Sequence, residues 1–442
     1  EEKPARVPGY PDIQAGEIHE RWPWVEPSVW SDRMLAALER GVKGGKWFSL
    51  IDKVYSMANL WAAWRSVRSN AGAAGVDGQS VELFEENAQK HLRALREELE
   101  TGTYQPLPVR RHWIDKLGSS EKRPLGIPAV RDRVVQTALR NVLEPIFEHR
   151  FAPRSYGFRP GRGCKDALRR VDHLLKAGST WVLDADLKGY FDSIPHGQLI
   201  AAVEEEIADG RVIDLLRAYL QAGVMDGLKF WVPERGTPQG AVISPLLANL
   251  YLDPLDHLMA EEGYQMVRYA DDFVVLCRSE AEAQAARERI REWTEAHGLT
   301  LHPEKTRLVD ATRKGGFDFL GYHFERGMRW PRDKSMKKLK NSLRAKTRRT
   351  DGRSLKAIIC DVNKTLRGWY GYFKHSYPTT FRTVDGWLRG RLRSILRKRV
   401  GRKGRARGRD HQRWPNAYFA EQGLYCLEQA HATARQSLHG NC

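Results

Sequence analysis

The spacing of apolar positions along this chain predicts most of its elements. Leu83, Phe84, Leu92, Leu95 and Leu99 recur at roughly helical spacing, so a helix is expected over 81–100. Further helices are expected over 50–68 (with a Trp61/Trp64 face), 130–147, 203–220 and 280–297, the last closed by Gly298. Ser31 or Asp32 would cap a shorter one over 31–39. Short strands are expected over 109–116 and 122–128, flanking a turn at 118–121 and carrying several cations. Residues 181–186, Trp-Val-Leu-Asp-Ala-Asp, form an apolar strand that ends in acid. Met266-Val267 and Phe273-Val274-Val275-Leu276 bracket Tyr269-Ala270-Asp271-Asp272, a hairpin with two carboxylates at its turn. Beyond about residue 329 the chain becomes helical and strongly basic.

Length and punctuation then divide the chain. Its 442 residues are enough for two or three domains. Residues 1–45 carry Pro4, Pro8, Pro11, Pro23 and Pro27 and end in a glycine-rich break. They are expected to be an extension packed on or near the main body. The rest divides into 46–328, with mixed strands and helices, a helical 329–384, and a basic 385–442. The fold class expected is therefore α+β followed by a helical region. A net charge of +18 calls for a polyanionic partner. The five cysteines show no CxxC spacing, which argues against a zinc site or a disulfide framework and suits a reducing cytoplasm. No apolar run approaches membrane-spanning length, and the acidic, proline-containing start is no signal peptide.

The candidate chemistry lies in 46–328. Two strands that end in carboxylates can converge on a pair of divalent cations about 4 Å apart, which clamp the attacking and leaving oxygens of a phosphoryl transfer. That arrangement is expected of a nucleic-acid polymerase. Asp186 and Asp271 are the candidate ligands, with Asp272 as a third acid. Asp184 and Asp192 compete with Asp186; Asp184 faces the same way, but Asp186 sits at the strand end. Arg235-Gly236-Thr237-Pro238-Gln239-Gly240-Ala241 is a loop whose glycines permit close approach of backbone and whose Gln239 offers an amide to a nucleotide edge. Lys116 and Arg123 are candidate cations for a triphosphate, with Arg110, Arg111 and Lys122 as alternatives. Lys305 is either a proton donor to departing pyrophosphate or a plain surface lysine. Phe191 reads, by residue chemistry alone, as core.

Charge concentrates near the C-terminus. Residues 389–413 hold twelve Lys/Arg and a single acid, Asp410. Arg389, Arg393, Arg397, Arg402, Arg405 and Arg407 are the candidate RNA contacts, because so dense a run repels itself without a counterion. Just before it, Leu366-Arg367-Gly368-Trp369-Tyr370-Gly371-Tyr372-Phe373-Lys374-His375 interleaves aromatics with cations. Packing is expected for Trp369 and Phe373.

Taken in order, Arg123-Pro124-Leu125-Gly126-Ile127-Pro128, Ser155-Tyr156-Gly157-Phe158-Arg159-Pro160, Asp186-Leu187-Lys188-Gly189-Tyr190-Phe191-Asp192, Gly236-Thr237-Pro238-Gln239-Gly240, Tyr269-Ala270-Asp271-Asp272 and Phe319-Leu320-Gly321-Tyr322 resemble a bacterial group II intron-encoded reverse transcriptase and maturase. The resemblance runs from about residue 46 to the end. It implies a right-hand polymerase of fingers and palm over 46–328, a thumb/maturase region over 329–384, and a basic nucleic-acid-binding region over 385–442. It implies RNA-templated DNA synthesis from deoxynucleoside triphosphates, two Mg2+ ions on Asp186, Asp271 and Asp272, and partners comprising intron RNA, an RNA template with a DNA primer, and target DNA. It implies help in splicing and in target-primed retrotransposition by a cytoplasmic protein that joins the nucleoid when acting on DNA. It places Phe191 at the sugar-discriminating position, and Lys116 and Arg123 where the fingers meet the triphosphate. Ala241 departs mildly from the glycine of many relatives. The chain ends without a Cys- and His-bearing endonuclease domain, so second-strand nicking is not expected of it. Two other functions share these features: an RNA-binding splicing factor with secondary polymerase activity, and a host-adopted reverse transcriptase in DNA repair or phage defence. The intact acids argue against loss of polymerase activity.

Overall fold

The structure is a computed structural model that describes residues 17–42, 44–115 and 122–439. Lys116 and the expected turn at 118–121 lie outside the described residues.

Eleven strands form three sheets among the described residues. Strands β1 (Val109–Asp115) and β2 (Lys122–Ile127) pair with the hairpin β4 (Val224–Asp226) and β5 (Lys229–Trp231) in the order β2-β1-β4-β5. A central sheet places β3 (Trp181–Asp186) between β7 (Asp272–Cys277) and β8 (Arg307–Asp310), with β6 (Gln265–Tyr269) outside β7. A third sheet joins β9 (Phe317–Phe319), β10 (Tyr322–Glu325) and β11 (Met328–Pro331).

The central sheet is buried on both sides, and strand alternation divides it. Leu183, Ala185, Phe273, Val275 and Cys277 enter the largest core, together with the buried faces of the helices His196–Glu204, Ser244–Glu261 and Glu280–Ala296. Val182, Val267, Val274 and Leu276 enter a second core, closed by the Cys164–Lys176 helix and the aromatic faces of β9 and β10. Asp184 and Asp186 alternate with Leu183 and Ala185, so they emerge on this second side.

Several expected helices are broken, two of them where a side chain caps a new helix. The helix expected over 50–68 splits into Ile51–Val54 and Met57–Asn70, because the Ser56 side chain accepts from Asn59 N and starts a new helix. The one expected over 81–100 divides at Asn87. The one expected over 203–220 becomes His196–Glu204 and Gly210–Gln221. Asp209 caps the latter through Arg211 N and Val212 N, and its other oxygen receives Leu50 N at 2.6 Å and Ile51 N at 2.9 Å. One carboxylate thus serves two helix starts 159 residues apart. The helices Asp32–Arg40 (capped by Ser31), Val130–Arg150 and Glu280–Ala296 lie where they are expected.

The N-terminal segment joins the main core: Trp30 is fully buried and donates through Nε1 to Asn141 O at 2.9 Å. Residues after 332 build a separate helical core around the helices Asp333–Lys346, Leu355–Phe373 and Thr379–Arg399. The division expected at 384/385 falls inside Thr379–Arg399, and residues on both sides of it share that core.

Candidate active site

The acidic turn is held from beneath by a buried cation. Tyr269 pairs with Asp272 across the hairpin, and Ala270 takes a left-handed φ of 58°, an uncommon conformation for a residue with a Cβ. Arg268 is fully buried. Its Nε donates to both oxygens of Asp256 at 2.9 Å, its Nη2 donates to Asp256 as well, and its Nη1 donates to Asn249 Oδ1 at 3.0 Å and Ala270 O at 2.9 Å. Asn249 Nδ2 in turn donates to Gly157 O at 2.7 Å. A Cβ at Gly157 would stand 2.2 Å from Ala270 N, so only glycine permits this segment to lie against the turn.

These positioning residues were not among the expected site. Their signal was present: Arg268 is a charge inside an apolar strand, and Asn249, Asp253 and Asp256 form an i, i+4, i+7 polar row in an otherwise apolar helix.

Asp186 stands directly opposite Asp272 in the β3–β7 ladder, so the two carboxylates emerge on one face. Burial, and then the carboxylates of Asp184, Asp271 and Asp186, push Asp272 up to about 7. Burial and Asp186 also raise Asp271, against the opposing pull of Arg123 and Arg268. Asp184 is covered by Arg307, whose Nη2 donates to Oδ2 at 2.9 Å. Lys305 Nζ donates to Asp186 Oδ2 at 2.7 Å. The lysine is therefore at the acid itself, carried there by a segment that bonds back to β3 through His302 N and Asp186 O at 2.7 Å.

The glycine-rich loop docks onto the same strand end. Gly236 has φ 91°, and a Cβ there would lie 2.7 Å from Asp192 Cα. Thr237 N donates to Phe191 O at 2.7 Å, and Gly126 N donates to Gln239 O at 2.6 Å. Arg123 Nε donates to Gln239 Oε1 at 2.8 Å, which ties the β1–β2 ribbon to the loop. Phe191 is 6% exposed and packs in the main core, edge-on to Tyr190. Asp192 lies near Arg111 and Arg123, which oppose the upward push of its burial.

The donor set suits a hard cation: clustered oxygen ligands, with Asp272 raised first by burial and then by its neighbouring carboxylates. Among the described residues, no three His, Cys, Asp or Glu side chains form a ready-made cage. Magnesium is ordinarily held by one or two carboxylates together with substrate phosphates, so paired aspartates fit it without an all-protein cage.

The basic C-terminal run separates into two groups. Arg393 is buried, donating to Trp414 O at 2.8 Å and Asn416 Oδ1 at 2.7 Å, with Phe419 under its guanidinium. Arg397 donates to Asp410 at 2.5 Å and Lys403 O at 2.9 Å. Both are spent on internal contacts, which removes them from the expected phosphate-facing set. Arg389 is half-buried; Arg402, Arg405 and Arg407 are exposed. Trp369 and Phe373 pack together with ring centroids 5.0 Å apart, as expected. No helix among the described residues is long and apolar enough to cross a membrane.

Two family models match: reverse transcriptase (RNA-dependent DNA polymerase) over residues 114–324, and group II intron, maturase-specific domain over 336–414. The chain is 37% identical over 308 residues to Protein YkfC of Escherichia coli strain K12, covering 60% of this chain and 80% of that protein. It is 38% identical over 204 residues to the group II intron-encoded protein LtrA of Lactococcus lactis subsp. cremoris, covering 46% of this chain and 33% of LtrA. The putative COX1/OXI3 intron 1 protein of Saccharomyces cerevisiae is 26% identical over 386 residues, 74% of this chain and 45% of that one. With these two domains in this order, and with 37% identity to a relative of which it covers 80%, the chain belongs to the group II intron-encoded reverse transcriptase/maturase family.

Proposed function

We propose that this chain extends a DNA primer on an RNA template and that its helical C-terminal part holds intron RNA during splicing and insertion into target DNA. One observation carries the polymerase reading. Asp186 and Asp272 oppose each other on β3 and β7, beside Asp271, where the Gln239 loop and Arg123 also arrive.

Reverse transcriptases generally use divalent metal ions. Here Asp186, Asp271 and Asp272 would hold two Mg2+ ions, which supply Lewis-acid stabilisation of the attacking and leaving oxygens. The protein's own groups do the rest. Arg123, with Lys116, binds the triphosphate; Gln239 keeps its amide NH2 for a nucleotide edge while its oxygen holds Arg123. Phe191 borders the sugar and excludes a 2′-hydroxyl. Lys305, already beside the acids, supplies a proton toward the leaving pyrophosphate. Exposed Arg402, Arg405 and Arg407 face RNA phosphates.

The test is primer extension on an RNA template with deoxynucleotides and magnesium, run beside the Asp271→Ala/Asp272→Ala double variant. Extension by the intact protein that vanishes in the variant, with RNA affinity retained, is expected. Extension that survives the loss of both acids would overturn the assignment.

A further inference from the structure

The β2-β1-β4-β5 sheet exposes aromatic surface that the polymerase chemistry above does not use. Trp113 is 45% exposed and Trp231 39%, and Phe230, Val232 and Leu228 beside them are also open. Register fixes the face. Trp231 opposes Val224, which opposes Val109 on β1, so Trp231 lies on the side of Val109, Arg111 and Trp113.

On that side the Arg111 guanidinium sits between the two indoles. Its Cζ lies 5.5 Å from the Trp113 ring centroid and 5.3 Å from that of Trp231. Trp113 is held upright by its own donor, Nε1 to Asp226 Oδ2 at 3.1 Å. Arg111 Nε is buried without a hydrogen-bond partner. A buried guanidinium nitrogen left unpaired is costly and points to an absent acceptor. Arg111 also lines a crevice with Pro124, Asp192, Arg235 and Gln239. The aromatic face therefore opens directly onto the loop assigned to the nucleotide.

We infer that this Trp113–Arg111–Trp231 cluster is a stacking platform for the unpaired template RNA just ahead of the reacting position. The inference rests on the polymerase reading given above. The chemistry selects the ligand. Indole faces stack on any base and so serve a strand whose sequence varies. A duplex hides its base faces, so only an unpaired strand can use them. The cation between the rings meets the phosphate that accompanies each stacked base, and Lys122 and Lys229 add positive charge on the same sheet. An apolar protein partner would gain nothing from a guanidinium at the centre of its contact.

The test needs three RNA–DNA duplexes and the full chain: one blunt, one with a 5′ template overhang, and one whose overhang is abasic. Affinity is read by fluorescence anisotropy. The intact protein should prefer the base-bearing overhang over both others by about tenfold or more, the scale of one or more stacked bases. Trp113→Ala/Trp231→Ala should remove that preference and leave affinity for the blunt duplex unchanged, and Trp113→Phe/Trp231→Phe should keep most of it. Equal affinity of the intact protein for the base-bearing and abasic overhangs would overturn the platform. That comparison needs no variant, so misfolding cannot confuse it. A preference that persists in the double alanine variant would overturn it as well. Primer extension on the duplex with the base-bearing overhang reports separately on the polymerase reading: an enzyme that extends it without preferring an unpaired base in the affinity measurement loses only the platform.

Discussion

Gly157→Ala tests whether the acidic turn is positioned by what lies beneath it. The added methyl would stand 2.2 Å from Ala270 N, 2.8 Å from Tyr269 C and 3.0 Å from Ala270 Cα. Ordinary contact begins at 3.4 Å, so one segment must retreat by 1.2 Å, the difference between 3.4 and 2.2. Neither is free to move. Asn249 holds Gly157 O, Arg268 holds Ala270 O, and Tyr156 N donates to Arg268 O at 2.9 Å. Gly157 is not at a positive φ, so the whole effect comes from space. Overpacking of this kind costs about 1–3 kcal/mol of stability. Displacing a reacting group by ~1 Å costs about 100-fold in rate. The expected result is single-turnover addition of one deoxynucleotide slowed about 100-fold, with RNA affinity unchanged and the melting temperature lowered. Gly197→Ala, in a helix where the new methyl meets nothing within 4 Å, is the control and should add nucleotides at the normal rate. Normal addition by Gly157→Ala would refute the claim that this contact positions Asp271 and Asp272.

Three further outcomes follow from the geometry. Phe191→Ala should admit ribonucleotides into the product, at a cost of about 3–5 kcal/mol in stability because the ring is also core; unchanged sugar discrimination would leave it a packing residue only. Replacing exposed Arg402, Arg405 and Arg407 with Gln should make the slope of log affinity against log salt shallower by about 2, at roughly 0.7 per lost phosphate contact on single strands; an unaltered slope would mean that the run does not meet phosphate. Asp132 is pushed up to about 6, chiefly by burial, from an unfolded value of 3.8. Its stabilising protonated form is fully present below the unfolded value and is lost as pH rises through 6, a loss of roughly 3 kcal/mol by neutral pH. Asp132→Asn should therefore flatten urea-measured stability between about pH 4 and 6; a slope identical to that of the intact protein would show that the carboxyl is not buried as described.

Much of the catalytic half was legible because its signals are local. Strand alternation fixes which side of β3 carries Asp184 and Asp186, and the short hairpin puts Asp271 and Asp272 at a turn. What was illegible depends on partners far away in sequence. Nothing near Asp209 says that its second oxygen will start a helix at Leu50. The run 389–413 looks uniform as a string of cations, yet one face of the Thr379–Arg399 helix sends Arg393 inward to Trp414, while Arg405 lies in solvent beyond the end of that helix. Phe191 is core by burial, as its residue chemistry suggests, while the sugar role comes from the resemblance. A boundary at 384/385 is reasonable by composition, because charge rises there; packing ignores it, because one helix carries both its apolar stripe and the first of the arginines.

The electrostatics of the acid cluster explain why its parts come from so many segments. Four carboxylates, two on β3 and two at the β6–β7 turn, repel one another, and each has different partners. Asp184 has Arg307 and Asp186 has Lys305, both from the stretch that runs beside β3. Asp271 is drawn down by Arg123 from the β1–β2 ribbon and by buried Arg268. At Asp272, Arg332, just beyond β11, pulls against burial and three neighbouring acids, and the carboxyl rises to about 7. The deficit of positive charge therefore lies on the Asp272 side, opposite Asp186. A triphosphate brought there by Arg123 would add still more negative charge. Protonation of Asp272 relieves part of that repulsion, and added cations shared between the carboxylates and the phosphates would offset the rest. The same arithmetic explains the buried Arg268. A cation fixed under the turn, held by Asp256 and unable to reach solvent, lowers the cost of keeping two adjacent acids together before any substrate arrives.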